Sequence, residues 1–245
     1  MPIDVVDLRS FYASALGGVT RRIVGRAVAE LWPHAKGSSI AGVGYATPYL
    51  ASWRGQAERL FALMPAAQGV VNWPGDGPSA TALVDPYEIP LPNASVDRVL
   101  LAHALESVIH PADLLGEIWR VLTPGGRAIA IVPNRRGVWA STDLTPFGHG
   151  QPYSKTQLAD LMRGALFSPE GWRETLFFPP SHRRLLLRSA GVWETVGRAL
   201  ALPFAGVHVV EATKQLYRPA LSRPERRGLM VVAPAAAATR AATTT

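Results

Sequence analysis

Asp85-Pro-Tyr-Glu-Ile-Pro-Leu-Pro-Asn-Ala-Ser-Val-Asp97-Arg-Val-Leu-Leu-Ala-His103-Ala-Leu-Glu106 continues through His110-Pro-Ala-Asp-Leu-Leu-Gly-Glu117-Ile-Trp-Arg120-Val-Leu-Thr-Pro-Gly-Gly126-Arg and closes at Pro133-Asn134. Pro90 and Pro92 stiffen a loop feeding Asp97 to His103, a run rich in Val and Leu that reads as a buried strand. Ala112 to Leu122 repeats its apolar residues at helical spacing. Thr123-Pro124-Gly125-Gly126 then requires a sharp turn, in which glycine supplies the positive φ. Arg127 to Val132 is again a strand. Strand, helix, strand in immediate succession is a βαβ unit, and such units build mainly parallel sheets in α/β folds.

Outward from this unit the pattern repeats. Ser39 to Gly44, Arg59 to Met64 and Thr81 to Val84 are further short apolar runs. Residues 5–16 and 19–32 read as amphipathic helices, parted at Gly17-Gly18, with Pro33 stopping the second. Downstream, Gly137 to Pro152 is a Gly-, Pro- and Thr-rich loop. Lys155 to Leu166 is a helix opened by a capping box of Ser154 and Gln157. Thr175 to Phe178 and Val207 to Thr213 read as strands, and Arg183 to Leu200 as a helix. Gly228 to Ala233 reads as one more short strand. The spacing divides the chain into N-terminal helices over residues 1–36, a core domain over 37–217, and a C-terminal extension over 218–245 expected to be partly disordered. Sheets of this kind bind ligands at the carboxyl ends of their strands.

Composition excludes several chemistries. The 245 residues include no Cys, which removes disulfides, thiolate metal sites and cysteine nucleophiles. Six scattered His show no paired metal-ligand spacing, so no metal site is expected. The formal charge is +7, carried almost wholly by arginine, since only Lys36, Lys155 and Lys214 are lysines. The arginine pairs Arg21-Arg22, Arg135-Arg136, Arg183-Arg184 and Arg226-Arg227 are dispersed and lack interleaved aromatics, so no nucleic-acid partner is expected. No apolar stretch reaches the roughly 20 residues of a membrane helix, and Asp4, Asp7 and Arg9 interrupt the N-terminus. A cytoplasmic protein with no membrane partner is the expectation.

The blocks IPLP…SVDRV, HALESV, EIWRVLTPGG and VPN, in this order over 85–134, resemble the class I S-adenosylmethionine-dependent methyltransferases of the small-molecule type. The resemblance implies a Rossmann-like, seven-stranded, mostly parallel sheet with helices on both faces. It also implies S-adenosyl-L-methionine as cofactor. Aligning Thr47 with the family's common threonine sets Ile40-Ala-Gly42-Val-Gly44-Tyr45-Ala46-Thr47-Pro48 against its glycine-rich loop. The candidate cofactor-binding residues are then Gly42, Gly44, Ala46 and Thr47, with Met64 after the second strand and Asp85 and Pro86 after the third. Two departures stand out. Gly42 occupies the family's acidic position at the first strand, and a register two residues earlier puts Ile40 there. Met64 replaces the acid that usually holds the ribose hydroxyls and cannot accept those bonds. Losing such an acceptor costs about 1–3 kcal/mol. Asp85 falls where the family often uses an acid on the adenine amino group.

His103, after the fourth strand, and His149, in the loop after the fifth, are the candidate catalytic groups, because imidazole exchanges protons near neutral pH. Packing alone is the alternative for each. Tyr12 is a candidate lid residue or a packing residue, Tyr45 is placed to fill an unused ribose space, and His208 faces either outward or into a hydrogen-bonded core. Glu117 and Arg120 lie three residues apart on one helix face and can pair weakly. No Asn/Asp-Pro-Pro-Tyr/Phe motif follows the fourth strand, which disfavours DNA bases and glutamine as acceptors. The expected function is methyl transfer from S-adenosylmethionine to a small or medium acceptor. The alternative is a catalytically silent module of the same fold that binds a metabolite or a protein partner.

Overall fold

The computed structural model describes residues 3–200 and 202–217, so the 218–245 extension and the Gly228 to Ala233 strand lie outside the described residues. Its strands are β1 (Ser39–Gly44), β2 (Arg59–Pro65), β3 (Thr81–Val84), β4 (Val96–Ala102), β5 (Leu122–Pro133), β6 (Phe167–Thr175) and β7 (Val207–Lys214). The helices are α1 (Val5–Ala13), α2 (Ala15–Leu31), α3 (Thr47–Leu50), α4 (Pro111–Val121), α5 (Lys155–Gly164) and α6 (Arg184–Ala199). One sheet holds all seven strands in the order β3-β2-β1-β4-β5-β7-β6. The β1-to-β5 pairings are parallel, and β7 runs antiparallel to both β5 and β6. The chain therefore has the expected Rossmann-like, mostly parallel α/β architecture.

Side-chain alternation splits the core into two layers. Ile40, Leu100, Ala102, Ile129 and Ile131 pack with α1 and α2 on one face. Val43, Val99, Leu101, Ala128 and Ala130 pack with α4 and α5 on the other. Near-continuous apolar runs such as Val99 to Ala102 are what a strand buried on both faces needs.

Five local expectations are corrected. The N-terminal helices part at Ser14, not at Gly17-Gly18. The Ser14 hydroxyl caps α2 by accepting from the Gly17 N–H at 3.1 Å, and Gly17 lies inside the helix because a Cβ there would strike the end of α1. The β1–β2 connection holds only the four-residue α3 and a short 3-10 turn, and the β2–β3 and β3–β4 connections hold no helix. The N-terminal helices cover that face instead. The fifth strand starts at Leu122, upstream of the expected Arg127, and carries the Thr123 to Gly126 turn, with its expected positive φ at Gly125 (+71°), as a register jump between Val96 opposite Leu122 and Arg98 opposite Arg127. The sixth strand is Phe167–Thr175, upstream of the expected Thr175 to Phe178. His208 faces inward, 2% exposed, with neither ring nitrogen hydrogen-bonded.

Glu117 and Arg120 do more than pair. The guanidinium donates to Glu117, to the Ile89 and Leu91 carbonyls and to Asn93, while Glu117 accepts from the Ile89 N–H. The pair thus staples the proline-rich loop to α4. Asp97 ties β1 and β5 to β4 by accepting from the Ser39 N–H and the Thr123 hydroxyl. Among the described residues no helix is long and apolar enough to cross a membrane.

Candidate functional site

The carboxyl ends of β1 and β4 meet at Gly44 and Ala102. Gly44 adopts φ +77°, and a Cβ there would strike the Ala102 carbonyl. That conformation aims the Tyr45 N–H at the same carbonyl, 2.8 Å away. Ala46 and Thr47 are buried at the start of α3. Pro48 follows in the first helical turn, where a proline's missing N–H has no intrahelical partner to lose. Gly42 is also buried, but the space above its Cα is taken. A Cβ would sit 2.6 Å from Leu50 Cδ1 and 2.7 Å from Ala46 Cβ. The acid usual at this point of the family has no room here.

Met64 ends β2 fully buried, with its Sδ 3.5 Å from the Val71 N–H. Four residues on, Gln68 does what the sequence reading did not anticipate. Its amide donates to the His103 carbonyl at 3.1 Å, which links the end of β2 to the end of β4 across β1. Its backbone carbonyl accepts from the Val5 N–H, which seats α1 on the same spot. The Gln68 Oε1 is buried with no partner. Asp85 and Pro86 end β3 at the surface. The Asp85 carboxylate accepts from the Tyr87 N–H at 2.8 Å and stays exposed.

His103 is the centre of the arrangement. Its backbone is left-handed, φ +52°, a conformation that costs a residue with a Cβ on the order of 1–3 kcal/mol. Its ring is 1% exposed and lies 4.7 Å from that of Phe147. Its Nε2 is 2.8 Å from the Tyr12 hydroxyl, which is also 2.8 Å from the Tyr49 hydroxyl. Its Nδ1 lies 3.4 Å from Glu106 Oε1. Both carboxylate oxygens of Glu106 are buried without a hydrogen bond. Burial, and then its phenolic neighbour, push the Tyr12 hydroxyl well above its ordinary range, and burial does the same to Tyr49. Both therefore stay neutral. A neutral Tyr12 donating to Nε2 leaves the ring hydrogen on Nδ1, facing Glu106. Tyr49, Tyr12, His103 and Glu106 then form one directed row.

His149 is not part of that row, and no hydrogen bond joins it to His103. It borders a separate hollow of about 380 Å³ between α1 and the loop after β5, with Asp7, Ser10, Phe11, Thr145 and His182. The two candidate catalytic histidines thus belong to two places, parted by Phe147. Glu106 and Gln68 were missed as functional residues. The His103-x-x-Glu106 spacing was available as a signal; Gln68 carried none.

The residues at the mouth fit S-adenosylmethionine in part. The mouth lacks the two usual acids, and Tyr12 and Tyr45 stack over it with centroids 5.6 Å apart. Yet Gln68 Oε1, His103 Nδ1 and both Glu106 oxygens are orphaned in one small region. Buried polar atoms without partners are uncommon, and their clustering here is what a site missing a polar ligand looks like. The backbone at Gly44 to Thr47, the Gln68 amide and Asp85 are the polar groups at the mouth that could hold a nucleoside.

Comparisons with known proteins agree with the architecture. Residues 37–130 match a family model described as a methyltransferase domain. The chain is 30% identical over 127 residues to a demethylmenaquinone methyltransferase of Deinococcus radiodurans, covering 51% of this chain and 52% of that one. It is 36% identical over 85 residues to a Mycolicibacterium smegmatis protein described as a probable S-adenosylmethionine-dependent methyltransferase, covering 34% and 33%. The match thus spans about half, or a third, of these curated relatives. A solved S-adenosylmethionine-dependent methyltransferase of Thermotoga maritima superposes with a TM-score of 0.58 at 18% identity, over 86% of this chain and 95% of that one. Residues 37–130 thus resemble a methyltransferase domain, and the strand order gives the chain the fold of the solved methyltransferases it superposes on.

Proposed function

We propose that the protein transfers a methyl group from S-adenosylmethionine to a small or medium-sized acceptor. In this reading His103 takes the acceptor's proton on Nε2 once α1 has carried the Tyr12 hydroxyl off that nitrogen, and Glu106 positions the ring through Nδ1. The single observation that carries this is the state of His103, held in a strained backbone between a phenol and an unpartnered buried carboxylate. A vestigial plug gains nothing from keeping a strained histidine beside an orphaned carboxylate, and both features raise the folding cost. Catalytic sites tolerate such costs because they fix groups ahead of the reaction.

The cofactor supplies an activated methyl on a sulfonium, so the protein's task is mainly alignment and exclusion of water. With α1 closed, Tyr12 covers Nε2; Glu106 favours the ring form protonated at Nδ1, which leaves Nε2 as the basic nitrogen when α1 opens. Entry of a ligand requires α1 to release Gln68 and His103, which makes α1 a lid. His149 borders the neighbouring hollow, where it is placed to orient an acceptor.

The crossing of the mouth by Gln68 favours a second reading, a silent module of the same fold that binds a metabolite or a protein partner. Calorimetric titration with S-adenosylmethionine and S-adenosylhomocysteine separates the two. Micromolar binding that Gln68→Ala and Asp85→Ala each weaken by about tenfold supports the transfer reading. Absence of binding at millimolar ligand supports the second.

A further inference from the structure

The outer face of α6 is apolar and cationic, and nothing among the described residues covers it. Leu185 is 81% exposed, Val192 and Leu200 66%, Val196 44% and Trp193 42%. At 3.6 residues per turn these five side chains fall in one sector of about 100°. Arg184 and Arg188 fall beside that sector, and Arg183 adjoins it at the N-cap. The opposite side of the helix is anchored to the fold. Ala190, Glu194 and Gly197 are buried there, and Glu194 accepts from the Phe177 N–H at 2.7 Å. Glu194 is the helix's only carboxylate, so the outward face carries none. Among the described residues no ion pair involves Arg183, Arg184 or Arg188, whereas Arg198, on the inner edge, pairs with Glu30.

We infer that α6 is a docking face for an anionic lipid surface. A helix anchored by one side, with a wide apolar stripe, an arginine border and a tryptophan at the stripe's edge, is built to lie in a headgroup layer. Charge separates this occupant from the others. Two copies of the face would set arginines against each other with no carboxylate between them. A nucleic acid would leave the leucine and valines against phosphate. The dispersed arginine pairs of the sequence suggest no such surface, because only the helix brings 184 and 188 beside 185 and 192. The inference is independent of the proposed reaction.

Vesicle flotation tests it, with full-length protein and vesicles of phosphatidylcholine with or without phosphatidylserine. The expected result is retention on the phosphatidylserine vesicles at low salt, about tenfold weaker on phosphatidylcholine alone and at high salt. Leu185→Asp with Val192→Asp abolishes retention, and Arg184→Glu with Arg188→Glu weakens it by about tenfold, at an unchanged melting temperature. All four side chains are exposed, so both variants keep the fold. The blue shift of tryptophan emission on vesicles is expected to shrink in Trp193→Phe. Absence of retention on phosphatidylserine vesicles overturns the inference. So does retention that ignores the Leu185/Val192 pair, and so does binding to DNA in preference to vesicles.

Discussion

The Tyr12 hydroxyl lies 2.8 Å from His103 Nε2, although 91 residues separate the two in the chain. The contact joins the first helix to the end of β4 and, with the Tyr12–Tyr49 and Val5–Gln68 hydrogen bonds, attaches α1 over the sheet's mouth. Tyr12→Phe leaves His103 Nε2 and the Tyr49 hydroxyl each a partner short in a buried place. The expected loss of stability is about 1–3 kcal/mol by denaturant titration, with faster amide exchange confined to residues 5–13. A variant as stable and as protected as the parent would show that the contact does not hold the lid.

Reinstating the family's acid should fail at Gly42. Its missing Cβ faces Leu50 Cδ1 at 2.6 Å and the less yielding Ala46 Cβ at 2.7 Å. Gly42→Ala is expected to destabilise by about 1–3 kcal/mol. Gly42→Asp should cost more and should not tighten S-adenosylhomocysteine in calorimetry. A tighter complex would mean that the chain still has the usual acid pocket.

Glu194 has its carboxyl pushed up to about 7 by burial, against the Phe177 N–H and Arg198, which lower it. The folded state therefore keeps a proton that the unfolded chain gives up near pH 4.5, and stability falls as pH rises from about 4.5 to 7. The full loss is on the order of 3 kcal/mol. Glu194→Gln keeps an acceptor for Phe177 and removes the charge. It is expected to melt higher than the parent at pH 8, with no such advantage at pH 4.

His208 works in the other direction. Burial, and then the Lys155 ammonium, push its imidazole down to about 4, so its 3.6 Å approach to Glu174 is not an ion pair at neutral pH. Here stability is complete above pH 6.5 and is lost as pH falls toward 4. In the parent the two groups oppose each other across pH 4.5–6.5 and flatten the profile. His208→Leu should unmask a fall in stability with rising pH, and Glu194→Gln a rise. Parallel profiles for the two variants would contradict both assignments.

Legibility followed sequence locality. β1 and β3 have the bounds that their apolar runs set, and the Ser154–Gln157 capping box forms as spaced, because each depends on neighbours in the chain. β6 was misplaced because Pro169 and Gly171 interrupt its alternation with a register shift, while Leu176 to Phe178 are apolar for packing outside any strand. At the site, His103 was readable as the residue ending an apolar strand. Glu106 was within reach, three residues beyond His103, whereas Gln68 was not, since its weight comes from which strand ends the sheet order sets side by side. α1 was readable as a helix with Tyr12 as a candidate lid residue; that it takes the place of crossover helices shows only in three dimensions.

The indole of Trp32, at the end of α2, donates to Glu211 in β7 across 179 residues. The helix made early in synthesis thus waits for the last described strand before its apolar side is fully covered. During translation that side stays in contact with solvent or with a chaperone, and folding is a closing of the ends rather than a growth from the start. Loss of β7 would therefore be felt at α2, and loss of α2 at β7.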